Sequence, residues 1–498
     1  MSRVLQAYTV VADDVPADVR ISETPEEFVP VYEAIFPRIE PATRAVLDAI
    51  RERMIEELDI KPMEVLGPEE MATLKKKFLE RSRALLKEEL PNMEEKYCNI
   101  LTGILMHKSL GLDAIEILLQ DKELEEIVIN SAKEPIWVYH RSIGWLKTNI
   151  QPRSEVEIYN YSSLIGRRVG TQVTHLRPLM DAYLTTGDRA NATLFPISSG
   201  GNTLTIRKFA RRPWTITDFM ESGTISPDMA AFLWLALQYE LNVLISGGTA
   251  SGKTALLNVL APFIPPNDRI ISIEDTREIQ LPKFLHWVPL TTRPPNPEGK
   301  GEVGMLPLMI NALRMRPDRV IVGEIRRTRE AEVLFEAIHT GHSVYSTFHS
   351  NTDDETLRRL VNPPLNIPPA LLGSLHLVVV MHRDRRKETR RVLSISEIVG
   401  AAPRVELNRI FQWVPSTDKF IRLGASVRAV KEMKFFSGMS DAGLKKDLSD
   451  KKLILQWFLK KDLKDIHEVG RIVSQYYVEP EKVLDSIRKG KKPKTESK

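Results

Sequence analysis

Residues 247 to 254 read GGTASGKT and satisfy the pattern G-x-x-x-x-G-K-[ST], with the apolar run LNVLIS before them and ALLNVLAPF after. A strand that turns through such a loop into a helix presents backbone N–H groups inward, as a cradle for phosphate oxygens. Lys253 then neutralises the β- and γ-phosphates, and Thr254 offers an oxygen to Mg²⁺. The candidate nucleotide-binding set is Gly247, Gly248, Thr249, Ala250, Ser251, Gly252, Lys253, Thr254 and Ala255. The pattern also constrains its surroundings, because a strand carrying this loop belongs in a sheet covered on both faces. From Leu241 to about Val399, NVLISG, RIISIED, RVIVGE, SVYSTFH and LHLVVVMH alternate with helical segments, which predicts a mostly parallel α/β core.

A phosphate cradle needs a carboxylate at a neighbouring strand end, to hold magnesium through water and to orient the attacking water. ISIEDTRE places Glu274 and Asp275 there, and RVIVGEIR places Glu324 at the end of the next strand. A carboxylate at a strand end also serves as a helix cap. Two in order behind the cradle point instead to chemistry. AIHTGHSVYSTFHSNT carries His339, His342 and His349 without a Cys or carboxylate to complete a tetrahedral metal set. Isolated histidines are most often structural; beside the cradle the functional alternative is a sensor, with Thr347 and His349 donating hydrogen bonds toward a γ-phosphate.

A length of 498 residues predicts about three domains. Residues 31 to 120 place Val46, Ile50, Met54, Ile55 and Leu58 at helical spacing, so a helical domain is expected over 1–110. A mixed α/β domain is expected over 111–210, with a helix near Glu155 to Arg168 and two strands, RANATLFPI and TLTIRKF, joined by a turn at Ser198 to Gly201. Pro213 and the low apolar content around Trp214 suggest a linker over 211–222, ahead of the core at 223–400. Residues 401–498 read as a strand pair, then amphipathic helix, then a disordered tail from Arg488 with six Lys or Arg against one Glu.

Composition closes off other classes. Charged residues at 27% and hydrophobic residues at 42% exclude collagen-like and wholly disordered chains. A net charge of +4 is too small for a protein whose main task is neutralising DNA along its length. Cys98, the single cysteine, forms no internal disulfide and no Cys-rich zinc site, which favours a reducing compartment. The first residues lack the order of a signal peptide, and the longest apolar stretch, Ala230 to Ser246, is interrupted by Gln238, Glu240 and Asn242. Any membrane role is expected to be peripheral.

Taken in order, GGTASGKT, IEDTRE, LRMRPDRVIVGEIR and TGHSVYSTFH resemble the Walker A, Asp box, Walker B and His box of the secretion ATPase superfamily. These are the motors of type II and type IV secretion, type IV pili and the archaellum. IEDTRE with PWTITDF most resembles the archaeal branch. The resemblance implies a homohexameric ring with a RecA-like core, behind a mixed α/β domain and a helical N-terminal domain and followed by a helical C-terminal extension. It implies ATP and Mg²⁺ bound by Gly247, Gly252, Lys253 and Thr254, with Glu274 and Glu324 sharing metal-water and nucleophilic-water duties and Glu324 favoured as catalytic. The metal set is then Thr254, Glu274 and Glu324. Arg189 in GDR and Arg207 in TIRK match arginines brought to the γ-phosphate, Arg314 is an interface candidate, and His349 completes the catalytic set. No zinc is expected. The implied partner is a polytopic membrane platform protein at the inner face of the cell membrane, with filament subunits served only indirectly and no nucleic acid. The alternative is a hexameric ATPase acting on nucleic acid, as a DNA-transfer motor.

Overall fold

A computed structural model describes residues 3–57, 68–184, 187–209, 212–293, 295, 299–384, 386–387, 389–401 and 404–493. The chain divides into two compact units, with the boundary between Arg211 and Arg212.

The first unit runs β1 (Arg3–Ala12), β2 (Val15–Glu23), β3 (Val31–Ile35), α1 (Pro41–Glu57), α2 (Pro68–Glu89), α3 (Glu95–Leu110) and α4 (Ile115–Gln120). It continues through β4 (Leu124–Ile129), β5 (Trp137–His140), β6 (Gly144–Thr148), α5 (Glu155–Arg168), β7 (Leu179–Tyr183), β8 (Arg189–Thr193) and β9 (Thr203–Arg207). Its strands form one sheet in the order β1-β2-β3-β6-β5-β4-β9-β8-β7. The expectation of a helical domain over 1–110 is corrected by β1 to β3. In β2, Val15, Ala17, Val19 and Ile21 are buried while Asp18 and Arg20 face out, a period of two that only a strand satisfies. Because β3 pairs in parallel with β6, these strands extend the sheet of the mixed domain. Helices α1 to α3 bury their own cluster around Met54, Phe78, Cys98 and Leu101.

The second unit opens with α6 (Ile216–Glu221), inside the segment expected to be a linker. Pro213 does stop a continuous helix, but Thr215 and Asp218 form a reciprocal capping box that starts a new one, and Ile216 and Phe219 are buried in the main core. There follow α7 (Pro227–Gln238), β10 (Val243–Gly247), α8 (Lys253–Leu260), β11 (Ile270–Glu274), β12 (Trp287–Thr291), α9 (Met305–Leu313), β13 (Arg319–Val322), α10 (Thr328–His339) and β14 (Ser343–Phe348). Then come α11 (Asp353–Val361), α12 (Pro369–Leu372), β15 (Leu377–Asp384), β16 (Thr389–Ala401), β17 (Arg404–Val414) and β18 (Lys419–Arg422). Four helices close the unit: α13 (Arg428–Ser437), α14 (Asp441–Lys460), α15 (Ile466–Val478) and α16 (Pro480–Arg488).

The sheet order is β12-β11-β13-β14-β10-β15-β16-β17-β18. Pairing is parallel from β12 to β15 and antiparallel from β15 to β18. This is a RecA-like core. All five expected parallel strands are present, and their runs are apolar because helices cover both faces. Strand β10 lies between β14 and β15, so its C-terminal loop opens where ligands bind in such sheets. After α16 the described chain runs on to Pro493, and Lys492 pairs with Glu468, so the expectation of a disordered tail from Arg488 is corrected at these residues. Residues 494–498 lie outside the described residues.

Candidate functional site

The loop after β10 is shaped by three unusual backbone positions. Ala250 (φ +57°) and Gly252 (φ +93°) adopt left-handed conformations, and Gly247 has φ +157°. A Cβ on Gly247 would lie 2.5 Å from Ser251 Oγ and 2.7 Å from the Met381 carbonyl, so the loop has no room for a side chain there. Ser251 Oγ donates to the Gly248 carbonyl at 2.8 Å. The first bond of α8 runs from Leu256 N to Gly252 O at 2.8 Å, leaving the N–H groups of its first turn for a ligand. Thr254 and Ala255, in that first turn, are half-buried. A cavity of about 430 Å³ opens beside the loop, lined by Gly248, Thr249, Ser251, His349, Asn351 and Arg383 among others.

Lys253 is buried, and its Nζ donates to the carbonyls of Gly247 and Gly248, each at 3.0 Å. Desolvation lowers its pKa, so the ammonium is held by the loop carbonyls and released readily to a better acceptor. His349 Nδ1 lies 3.3 Å from Lys253 Nζ, and His349 Nε2 lies 2.8 Å from Glu324 Oε1. Burial and the Lys253 charge both push the imidazole pKa down. A neutral ring between an ammonium and a carboxylate has one satisfactory tautomer: Nδ1 accepts from Lys253 and Nε2–H donates to Glu324. Glu324 Oε2 accepts from Arg326 at 2.8 and 2.7 Å, and Arg326 reaches Asp275 Oδ2 at 2.7 Å. One chain of contacts thus runs Lys253, His349, Glu324, Arg326, Asp275.

Glu274 lies apart from that chain. It is buried, and its Oε1 accepts from the N–H groups of Glu278 and Ile279 at 2.9 and 3.0 Å. Its Oε2 has no hydrogen-bond partner, and burial pushes the carboxyl up to about 7. The orphaned oxygen suits a magnesium-bound water, and the Thr254 hydroxyl in the first turn of α8 suits direct ligation. Among the described residues no group of three or more His, Cys, Asp or Glu could hold a metal. The residues present therefore fit a magnesium shared with phosphate and water rather than one caged by protein.

The other expected residues divide. Thr347 is buried and gives its hydroxyl to the Gly323 carbonyl at 2.6 Å, so it braces β13 rather than donating to a ligand. His339 is the last residue of α10, and His342 closes the C-terminus of that helix just before β14, at the opposite end of the strand from His349. Arg314 is exposed at the C-terminus of α9. In the first unit, Arg189 and Arg207 are direct cross-strand partners on β8 and β9, and Glu126 of β4 is in register with Arg207. Adjacent like charges weaken a strand pair. Asp181 compensates, gripping Arg189 at 2.9 and 2.5 Å.

Three contributors escaped sequence reasoning. Arg326 stands two residues after Glu324 inside a motif already singled out. Arg390 of β16 donates to the Ala250 carbonyl at 3.1 Å, and Arg359 of α11 donates to the His349 carbonyl; neither has a local signal.

The family model described as type II/IV secretion system protein matches residues 187–391. The uncharacterized protein MJ0900 of Methanocaldococcus jannaschii is 36% identical over 406 residues, covering 80% of this chain and 72% of the relative. The chain belongs to the type II/IV secretion system protein family. Another member, the type IV secretion system protein PtlH of Bordetella pertussis, is 30% identical over 313 residues, 56% of this chain and 91% of that one. The solved Legionella pneumophila ATPase DotB is 18% identical, covering 75% of this chain and 93% of that one with a TM-score of 0.39. The stretch matched by the family model contains every candidate residue, from Arg189 and Arg207 in the first unit to His349 in the second. Among the described residues no helix is long and apolar enough to cross a membrane.

Proposed function

We propose that this family member hydrolyses ATP and works as a cytoplasmic homohexameric motor on a polytopic membrane platform protein. It would thereby drive assembly or rotation of a pilus-like or archaellum filament, or secretion, with filament subunits served only indirectly. The observation that carries the reading is the neutral His349 set between Lys253 and Glu324, because it links the phosphate cradle to a carboxylate placed to act on water. Incoming phosphates outcompete the carbonyls of Gly247 and Gly248 for Lys253, since a charged acceptor forms the stronger hydrogen bond. Once Lys253 moves onto the β- and γ-phosphates, His349 is free to turn toward the γ-phosphate. Glu324, still anchored by Arg326, orients the attacking water and accepts its proton. Bound magnesium would supply electrostatic stabilisation of the transferring phosphoryl group. Thr254 would hold it, and Glu274 would fix one of its waters. Arg189 and Arg207, already side by side, would add positive charge to the γ-phosphate, and Arg314 belongs to a subunit interface.

The test is turnover by purified full-length protein. Lys253→Ala abolishes it, and Glu324→Gln keeps ATP binding while losing hydrolysis. Near-normal turnover by Lys253→Ala would remove the cradle from the mechanism, and strong salt-dependent stimulation by DNA would replace the filament motor with a DNA-transfer motor.

A further inference from the structure

A second cavity, of about 320 Å³, shares His349 with the cavity beside the phosphate loop. Glu324, Arg326, His349 and Arg359 are its polar lining, and Ile325, Phe348 and Pro363 to Leu365 its apolar lining. No residue of the phosphate loop lines it. His349 and Arg359 line both cavities, so the two are neighbours separated by these side chains. Arg359 is half-exposed, stacks 5.1 Å from the Phe348 ring centre and donates to the His349 carbonyl. Packing against a ring and a backbone acceptor fixes where its guanidinium points.

The chemistry of this wall is specific. Two guanidiniums offer several N–H donors to an oxyanion. Arg326 spends part of its charge on Glu324 and Asp275, whereas Arg359 pairs with Glu355 only at 4.0 Å. The wall also carries the Glu324 carboxylate, which repels an anion that has no proton to give. Hydrogen phosphate has a P–OH that can donate to Glu324 while its other oxygens accept from the arginines. Sulfate has no such donor at neutral pH.

We propose that the second cavity is a binding site for inorganic phosphate, holding the cleaved γ-phosphate after it passes His349 and before it reaches solvent. The source of that phosphate rests on the hydrolysis reading above; the site itself does not. Arg359 is its principal anion ligand, and Glu324 supplies the preference for a protonated oxyanion.

Calorimetric titration of the nucleotide-free full-length protein with inorganic phosphate, and separately with sulfate, tests this. Because the phosphate loop is itself an oxyanion cradle, the second cavity is read in the Lys253→Ala background, which is expected to bind phosphate saturably and more tightly than sulfate. Lys253→Ala should lose the phosphate bound at the loop itself but keep a saturable phosphate site, since no residue of the loop lines the second cavity. In that background Arg359→Gln should weaken phosphate affinity by about tenfold or more, the cost of one hydrogen bond to a charged group, and Arg359→Lys should recover most of that loss. Glu324→Gln should erase the preference for phosphate over sulfate. If Arg359→Gln does not fold, the lysine variant and Glu324→Gln still decide the matter. Loss of all phosphate binding in Lys253→Ala, unchanged affinity when Arg359→Gln is added to that background in a folded protein, or equal binding of sulfate by Lys253→Ala would each overturn the proposal. Phosphate binding in a chain that fails to hydrolyse ATP would refute the hydrolysis reading and support the site.

Discussion

Lys451 of α14 is fully buried, with Nζ 2.5 Å from Asp447 Oδ1 and lying 5.6 and 5.0 Å from the ring centres of Trp234 and Tyr476. Desolvation is the largest influence on its pKa and drives it from 10.5 to about 8 despite the Asp447 partner. At 1.36 kcal/mol per unit, that difference corresponds to about 3 kcal/mol. The sign follows from proton counting. Between pH 8 and 10.5 the unfolded chain holds the proton that the folded chain has lost, so stability rises with pH across that window. Below pH 8 the folded protein carries the whole penalty. Replacing both partners, Lys451→Met with Asp447→Asn, removes the buried charges, and the amide oxygen can still accept from the Tyr476 hydroxyl, which now donates to Asp447 at 2.7 Å. The double variant should therefore be more stable than wild type at pH 7 by up to about 3 kcal/mol, an advantage that shrinks toward zero by pH 10.5. Lys451→Met alone should destabilise, because it strands Asp447. Urea unfolding followed by tryptophan fluorescence at several pH values between 7 and 10.5 measures the difference. A stability difference that stays constant across that range would show that Lys451 is not a desolvated cation and would refute the reasoning.

Three further outcomes are expected. Arg207→Ala should lower kcat by at least ~100-fold with ATP affinity held within a few-fold, in steady-state kinetics with parallel nucleotide binding; unchanged kcat would show that the first unit does not act on the γ-phosphate. Gly247→Ala forces a Cβ into Ser251 and the Met381 carbonyl, so it should lose nucleotide binding and cost about 1–3 kcal/mol in thermal or urea unfolding. Glu274→Gln should be less damaging to turnover than Glu324→Gln, since only Glu324 contacts His349; the reverse order would exchange their roles.

Much of the second unit was legible locally. A glycine-rich loop or a run of buried β-branched residues acts over one turn or one strand, so GGTASGKT and the five parallel strands fall where their own residues place them, as α5 (Glu155–Arg168) does in the first unit. The alternation in VPADVRISE marks β2, and Thr215 with Asp218 marks the start of α6, but each signal spans only a few residues inside longer stretches of helical or linker-like composition. What the sequence by itself determined is therefore the set of elements and the chemistry each strand end carries. Tertiary structure decided which of those ends meet. Lys253, Asp275, Glu324, Arg326 and His349 come from three different strand ends and the first turn of a helix, and they converge because β14 lies between β10 and β13 and β13 lies between β14 and β11. That order is set by burying both faces of the whole sheet at once, a cooperative packing condition that no local pattern encodes. The same condition joins β3 to β6 across more than a hundred residues and places Arg207 beside Arg189.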